Sequence, residues 1–143
     1  MKRQHRLWFV ALATTLSAAG PACHGSKTLV ASGRFELQIG RDRGSASIYR
    51  LADGGLLLDL SLPVPPRPEM DVRLIPADRT PHGEQSGFLV VGRLFDPRPT
   101  QQHFVPPGID LDRYGAVCIW SRADAACVAT APLAHPLQRS SPQ

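Results

Sequence analysis

Frequent proline and glycine residues divide this chain into short segments, and this feature limits its fold more than any other. The 143 residues include 14 prolines and 12 glycines. Proline interrupts the interior of a helix because it lacks the backbone N–H, and glycine is also unfavourable there. After residue 22 no run has the period of an amphipathic helix, whereas several short runs alternate or cluster apolar residues. The sequence therefore predicts an all-β fold.

Seven segments have the composition of β-strands and are separated by turn or loop residues. They are GRFELQI (33–39), SASIYRL (45–51), LLLDLSL (56–62), MDVRLI (70–75), GFLVVGRLF (87–95), GAVCIWS (115–121) and AACVATA (125–131). Residues 52–55, with sequence ADGG, predict a hairpin turn. The proline-containing segments 62–69, 96–100 and 105–108 predict loops. We predict an antiparallel β-sandwich or barrel-like domain of about seven or eight strands.

The first 22 residues have the organisation of an export signal. Lys2, Arg3, His5 and Arg6 precede the uncharged apolar stretch LWFVALATTLSAA at 7–19. A stretch of about 13 residues is shorter than the roughly 20 that a membrane-spanning helix needs, but it suits the core of a signal peptide. We predict a signal peptide at 1–22, a tether at 23–32, a β domain at 33–133 and a flexible tail at 134–143.

The cleavage position decides the fate of Cys23. Cleavage after Ala22 leaves Cys23 as the first mature residue, as lipid modification of a bacterial lipoprotein requires, although Gly20 stands where a large aliphatic residue is typical. Cleavage near 17–19 would instead suit ordinary signal peptidase. An exported protein with three cysteines can form only one disulfide within the chain, so one cysteine is left over. A lipid on Cys23 would account for that cysteine. We predict a membrane-anchored lipoprotein of the cell envelope; the alternative is a periplasmic or secreted protein.

The net charge of +4 belongs largely to the leader. Three of the 16 basic residues lie in 1–22 and none of the 12 acidic ones does, so the mature chain is close to neutral. Its arginines are interleaved with acids and aromatic residues are few, which does not suit a nucleic-acid surface. We expect no nucleic-acid partner. The expected partners are the membrane, through the lipid, and a protein or small molecule of unknown identity.

Two cysteines flank a short polar tip in the segment AVCIWSRADAACVATAPL, at 116–133. If the segment folds as a hairpin with Cys118 opposite Cys127, Arg122 and Ala123 form a two-residue turn. Opposite β-carbons are close enough for a disulfide at the nearer type of strand pair, and export permits one. The alternatives are a redox pair, a metal site or two buried thiols. We predict a structural disulfide.

The alternatives have weaker sequence support. A redox pair is typically Cys-x-x-Cys at the start of a helix, and this spacing differs. His82, His103 and His135 are scattered and have no zinc-like spacing with the cysteines, so we expect no metal and no cofactor. We expect Trp120 to pack against the domain rather than bind a ligand. His103 and Phe104, between two proline-containing loops, are candidates to line a small cleft.

The chain resembles a known family over about 33–133. The run IDLDRYGAVCIWSR through ATAPL resembles the C-terminal signature of the DM-thirteen domains, and GRFELQIGRDRGSASIYRLADGGLLLDLSL resembles their opening strands. This resemblance implies a β-sandwich-like fold and a proposed role in electron transfer, and many bacterial members are exported or lipid-anchored. The signature positions here are Tyr114, Ile119, Trp120 and Ser121. The family's signature cysteine follows the Ile-Trp pair, and Ser121 stands in its place.

A serine has no accessible redox chemistry, so the family's proposed redox centre does not carry over. No catalytic machinery is evident in the sequence. We expect a non-enzymatic domain with a binding or accessory role at the cell envelope. The alternative is a redox or electron-transfer module that uses a dithiol and disulfide formed by Cys118 and Cys127.

Overall fold

The computed structural model describes residues 25–36, 44–78, 87–94 and 96–136. In these ranges the chain forms eight strands: β1 (Thr28–Arg34), β2 (Ser45–Arg50), β3 (Leu56–Ser61), β4 (Met70–Pro76), β5 (Leu89–Arg93), β6 (Thr100–Val105), β7 (Tyr114–Ser121) and β8 (Ala126–Pro132). A 3-10 turn at Leu111–Arg113 precedes β7. The prediction of an all-β domain is confirmed.

The strands form two antiparallel four-stranded sheets that enclose the core. The first sheet has the order β1-β2-β3-β6, and the second has the order β5-β4-β7-β8. Alternate residues of each strand face the other sheet, as the pleat of a strand requires. The buried core includes Ile48, Leu58, Leu60, Val72, Leu74, Val117 and Ile119. The sheets do not close on each other, so the architecture is a sandwich rather than a barrel.

The predicted hairpin between β2 and β3 is present. Leu51 N donates to Gly55 O at 2.8 Å, and Gly54 N donates to Leu51 O at 3.0 Å. Gly54 has a positive φ of 86°, a conformation that glycine adopts without steric cost. The glycine pair therefore permits the tight connection that the sequence indicates.

The N-terminal boundary of the domain differs from the prediction. β1 begins at Thr28, within the segment assigned to the tether, and ends at Arg34. Phe35 is fully buried and Glu36 forms an isolated bridge with Thr130, whereas residues 37–39 of the predicted strand lie outside the described residues. The small and polar residues of the segment KTLVAS predict a tether, but β1 pairs with β2 from Thr28 to Arg34.

Strand β6 is a second difference, because its neighbourhood was predicted as loop. The segment TQQHFV places Thr100, Gln102 and Phe104 on the exposed outer side of the first sheet. β6 follows β3 at the end of that sheet, and the inward Val105 joins the core. A mostly polar segment forms this strand because only one of its faces is covered.

The two sheets approach each other at both sides of the sandwich. On one side Ser32 and Ala134 exchange backbone hydrogen bonds of 3.0 and 2.8 Å, which join β1 to the chain after β8. Ala134, the first residue of the predicted tail, is therefore bonded to β1, and residues 137–143 lie outside the described residues. On the other side His103 of β6 packs over Gly92 of β5, so closely that a β-carbon on Gly92 would lie 2.5 Å from His103 Nδ1.

Candidate functional site

The predicted disulfide between Cys118 and Cys127 is present. It links β7 to β8, and the two Cα atoms lie 5.7 Å apart. Cys118 is 0% exposed, whereas Cys127 is half-buried on the outermost strand of the second sheet. One cysteine of the disulfide is therefore buried, and the other lies closer to the surface.

The predicted register of this hairpin is wrong. Cys118 lies opposite Thr130, and Cys127 lies opposite Trp120, because the register shifts between Ile119 and Trp120. The connection is not the two-residue turn of Arg122 and Ala123. It spans residues 122–125, and Ala125 adopts a positive φ of 50°. The disulfide consequently joins residues on diagonal rather than directly opposed positions.

Hydrogen bonds from the end of β7 explain the longer turn. Ser121 Oγ donates to Asp124 Oδ2 at 2.7 Å and accepts from Asp124 N at 3.2 Å. Arg122 donates from its backbone N to Glu69 O at 3.0 Å, and its Nη2 donates to Pro68 O at 2.8 Å. The β7–β8 turn is thus fixed both internally and to the β3–β4 loop.

The four signature positions do not converge on one site. Ile119 is fully buried in the core between the sheets, and Tyr114 packs partly against that core near the start of β7. Trp120 lies on the opposite, outer face of the second sheet. Ser121 is 1% exposed and is occupied by the turn that it holds to Asp124. These residues therefore have separate contacts, and Ser121 supports the turn.

A charged cluster occupies the outer face of the second sheet beside the disulfide. Val72 and Leu74 face the core, so Asp71 and Arg73 of β4 face outward, and Arg73 pairs directly with Cys118 of β7. Both Asp71 and Arg73 are nevertheless buried. We call Asp71, Arg73, Arg93 and Arg122 the arginine cluster.

Arg73 is held between two aromatic rings. Its guanidinium carbon lies 4.1 Å from the centroid of the Phe88 ring and 4.4 Å from that of the Trp120 ring. Cation–π attraction of this kind strengthens when the cation is removed from water. Trp120 thus packs within the protein as the sequence analysis expected, although its contact is a buried arginine on the outer face rather than the core.

Asp71 is the acid of the arginine cluster and has three arginines around it. Its Oδ2 lies 3.4 Å from Arg73 Nη2, and its Oδ1 lies 3.7 Å from Arg122 Nε and 4.0 Å from Arg93 Nε. Neither Asp71 Oδ1 nor Arg73 Nε has a hydrogen-bond partner among the described residues. The cluster is therefore an ion-pair network in which Asp71 and Arg73 are buried, whereas the side chains of Arg93 and Arg122 are partly exposed.

The arginine cluster was not among the predicted sites. The sequence contains a signal for it, since Asp71 and Arg73 are two residues apart in a predicted strand and so share one face. The contributions of Arg93 and Arg122 could not be inferred, because they depend on the pairing of β4 with both β5 and β7.

The two cleft candidates, His103 and Phe104, are separated by the pleat of β6. His103 faces inward over Gly92, whereas Phe104 points outward and is 73% exposed. They therefore do not line one cleft. Burial lowers the pKa of His103, and its Nε2 has no hydrogen-bond partner among the described residues.

Other features of the described residues add little chemistry. They contain no group of three or more histidine, cysteine, aspartate or glutamate residues placed to hold a metal. An open depression of about 320 Å³ is lined by polar residues of β3, β6 and the loop before β6, among them Asp59, Arg98 and Gln102. No helix in the described part of the chain is long and apolar enough to cross a membrane. Cys23, the predicted lipid attachment point, lies outside the described residues.

The chain matches no protein-family model, no curated protein and no solved structure.

Proposed function

We propose that this protein is an exported β-sandwich module, anchored to a membrane by a lipid on Cys23, with a binding or accessory role at the cell envelope. The domain would be a divergent member of the DM-thirteen family that has lost the signature cysteine at position 121. The proposal assigns it no catalytic activity.

The disulfide is the observation that carries this proposal. Disulfides persist in oxidising compartments and are rare in the cytosol. The bond between Cys118 and Cys127 uses two of the three cysteines and leaves Cys23 for another role. The burial of Cys118 beside the buried Arg73 suits a structural link. The leader-like residues 1–22 give an independent argument for export.

Intact mass spectrometry of the protein isolated from the membranes of its own host tests the proposal. We expect a chain that begins at Cys23, carries acyl chains at that residue and lacks two hydrogens because of the disulfide. The variant Cys23→Ser serves as the control and should carry no lipid. An unmodified N-terminus upstream of Cys23 would contradict the anchor.

A redox module is the second candidate, and the pairing of Arg73 with Cys118 favours it. A thiolate from a dithiol donor would attack the sulfur of Cys127, the more exposed of the two cysteines, and displace Cys118 as a thiolate. A neighbouring guanidinium stabilises a thiolate. The donor's second thiolate would then form the donor's own disulfide and release Cys127, so that two electrons pass to this protein.

A further inference from the structure

An apolar row crosses the outer face of the first sheet. Leu29 of β1 pairs with Tyr49 of β2, Tyr49 pairs with Leu57 of β3, and Leu57 pairs with Phe104 of β6. Leu29 is 38% and Phe104 is 73% exposed at the two ends of the row, whereas Leu57 between them is buried at 9% exposure. We call these four residues the apolar row.

The remainder of this outer face is polar. The neighbouring row on the same face lies two residues further along β2, β3 and β6. It contains Ser47, Asp59 and Gln102, and Gln102 Nε2 donates to Asp59 Oδ2 at 3.2 Å. The row after that contains Ser45, Ser61 and Thr100. The apolar side chains are thus confined to one end of the sheet.

That end is the one nearest to Cys23 along the chain. Leu29 is the second residue of β1, and five peptide units separate Cys23 from Thr28. Even a fully extended segment of that length spans at most about 17 Å. A lipid on Cys23 would therefore hold the apolar row close to the membrane surface.

A basic side chain accompanies the apolar row. Lys27 Nζ lies 4.3 Å from the centroid of the Tyr49 ring and 4.0 Å from Asp59 Oδ2 in the neighbouring polar row. Aromatic and aliphatic side chains next to a lysine match the headgroup region of a bilayer, where rings enter the interface and the ammonium group meets phosphate oxygens.

We propose that the apolar row, through the exposed Leu29 and Phe104 and with Lys27 beside it, docks on the phospholipid surface to which the chain is anchored. This inference rests on the lipid anchor of the proposed function. Docking fixes the orientation of the domain, with the first sheet against the membrane. The disulfide and the arginine cluster, on the outer face of the second sheet, then point away from the membrane.

Tryptophan fluorescence of the lipid-bearing protein tests the docking. The protein is expressed with its own leader and reconstituted into vesicles of phosphatidylethanolamine and phosphatidylglycerol, with or without bromine on the acyl chains. Phe104→Trp reports on the apolar row, and Leu29→Trp gives a second reporter at the opposite edge. Gln102→Trp is the matched control on the same face of β6, and the unaltered protein gives the background from Trp120.

We expect the indoles introduced at positions 104 and 29 to shift to shorter emission wavelength and to lose emission to the brominated lipid. The indole at position 102 and Trp120 should do neither. Equal quenching at positions 104, 29 and 102 in a lipid-bearing chain would overturn the docking surface alone. If the indole at position 104 is shielded from acrylamide equally with and without vesicles, the apolar row contacts a second copy of the chain. That result would also overturn the membrane docking surface. A missing lipid in the intact mass would instead overturn the anchor.

Discussion

Asp71 is a buried acid of the second sheet with three arginines around it. Its carboxylate is buried and is the acid shared by Arg73, Arg93 and Arg122. Removing one partner of a buried ion pair leaves an uncompensated charge, which costs more than the pair itself contributes. The arginine cluster should therefore respond strongly to neutralisation of its acid.

We expect Asp71→Asn to lower the free energy of unfolding by about 3 kcal/mol in a denaturant titration. Arg73 would remain buried between Phe88 and Trp120 without its carboxylate. The double variant Asp71→Asn with Arg73→Met should recover part of the loss, because methionine packs well against aromatic rings. A double variant less stable than Asp71→Asn alone would contradict this account of the cluster.

His103 links stability to pH. Burial lowers the pKa of His103 below its ordinary value of 6.5, so the folded protein takes up the proton less readily than the unfolded chain. Between those two pKa values the unfolded state binds more protons, and stability falls as the pH falls. Below the folded-state pKa the contribution levels off.

Between about pH 7.5 and about pH 5, we expect the melting temperature of the unaltered protein to decrease more than that of His103→Gln. Thermal denaturation followed by circular dichroism measures both. Identical pH dependence of the two proteins would show that the burial of His103 is not coupled to protonation.

At the scale of elements, the junction of β1 with β8 depends on a close backbone approach. A β-carbon on Gly33 would lie 2.0 Å from the carbonyl oxygen of Pro132, so the two strands could not keep their positions. Hydrogen bonds between Ser32 and Ala134 lie beside this contact. Gly33 is therefore required by close packing between the sheets.

Gly33→Ala should destabilise the domain by about 1–3 kcal/mol, the usual cost of forcing extra volume into a packed site. Gly25→Ala is the matched control, since nothing lies within 4 Å of a β-carbon at that position. Chemical denaturation of the two variants gives the comparison. Equal stability would mean that the junction adjusts to the added methyl group.

The elements also show what the sequence could and could not predict. Alternation identified strands such as β4, where Val72 and Leu74 face the core. It missed β6, because TQQHFV is mostly polar and only its inward side is covered. The predicted β7–β8 register was also wrong. The hydrogen bonds of Ser121 with Asp124 favour a turn over residues 122–125 instead of the predicted two-residue turn. Local patterns predict elements better than they predict pairings.

At the scale of the whole molecule, the disulfide is a short-range link in a small sandwich. Its two cysteines are nine residues apart, and it fixes the hairpin that carries Trp120 against Arg73. The cysteines and their pairing were predictable from the sequence. Their place beside the buried charges of Asp71 and Arg73 was not, because β4 and β7 are far apart in the chain.

Replacing both cysteines, in Cys118→Ala with Cys127→Ala, should lower the free energy of unfolding by about 2–3 kcal/mol. The expected far-ultraviolet circular dichroism is that of the unaltered fold. Cys23→Ser, which removes the third cysteine, should leave the unfolding free energy unchanged. A double variant as stable as the unaltered protein would show that the bond has no structural role.

The reduction potential of the Cys118–Cys127 bond tests the central claim, that the disulfide is a structural link in a non-enzymatic envelope module. It is measured by equilibrating the mature protein with thiol redox buffers and trapping free cysteines. We predict a potential below about −300 mV, as for structural disulfides of exported proteins. A potential of roughly −120 to −270 mV, in the range of known oxidoreductases, with the fold retained after reduction, would contradict the claim and favour the redox module.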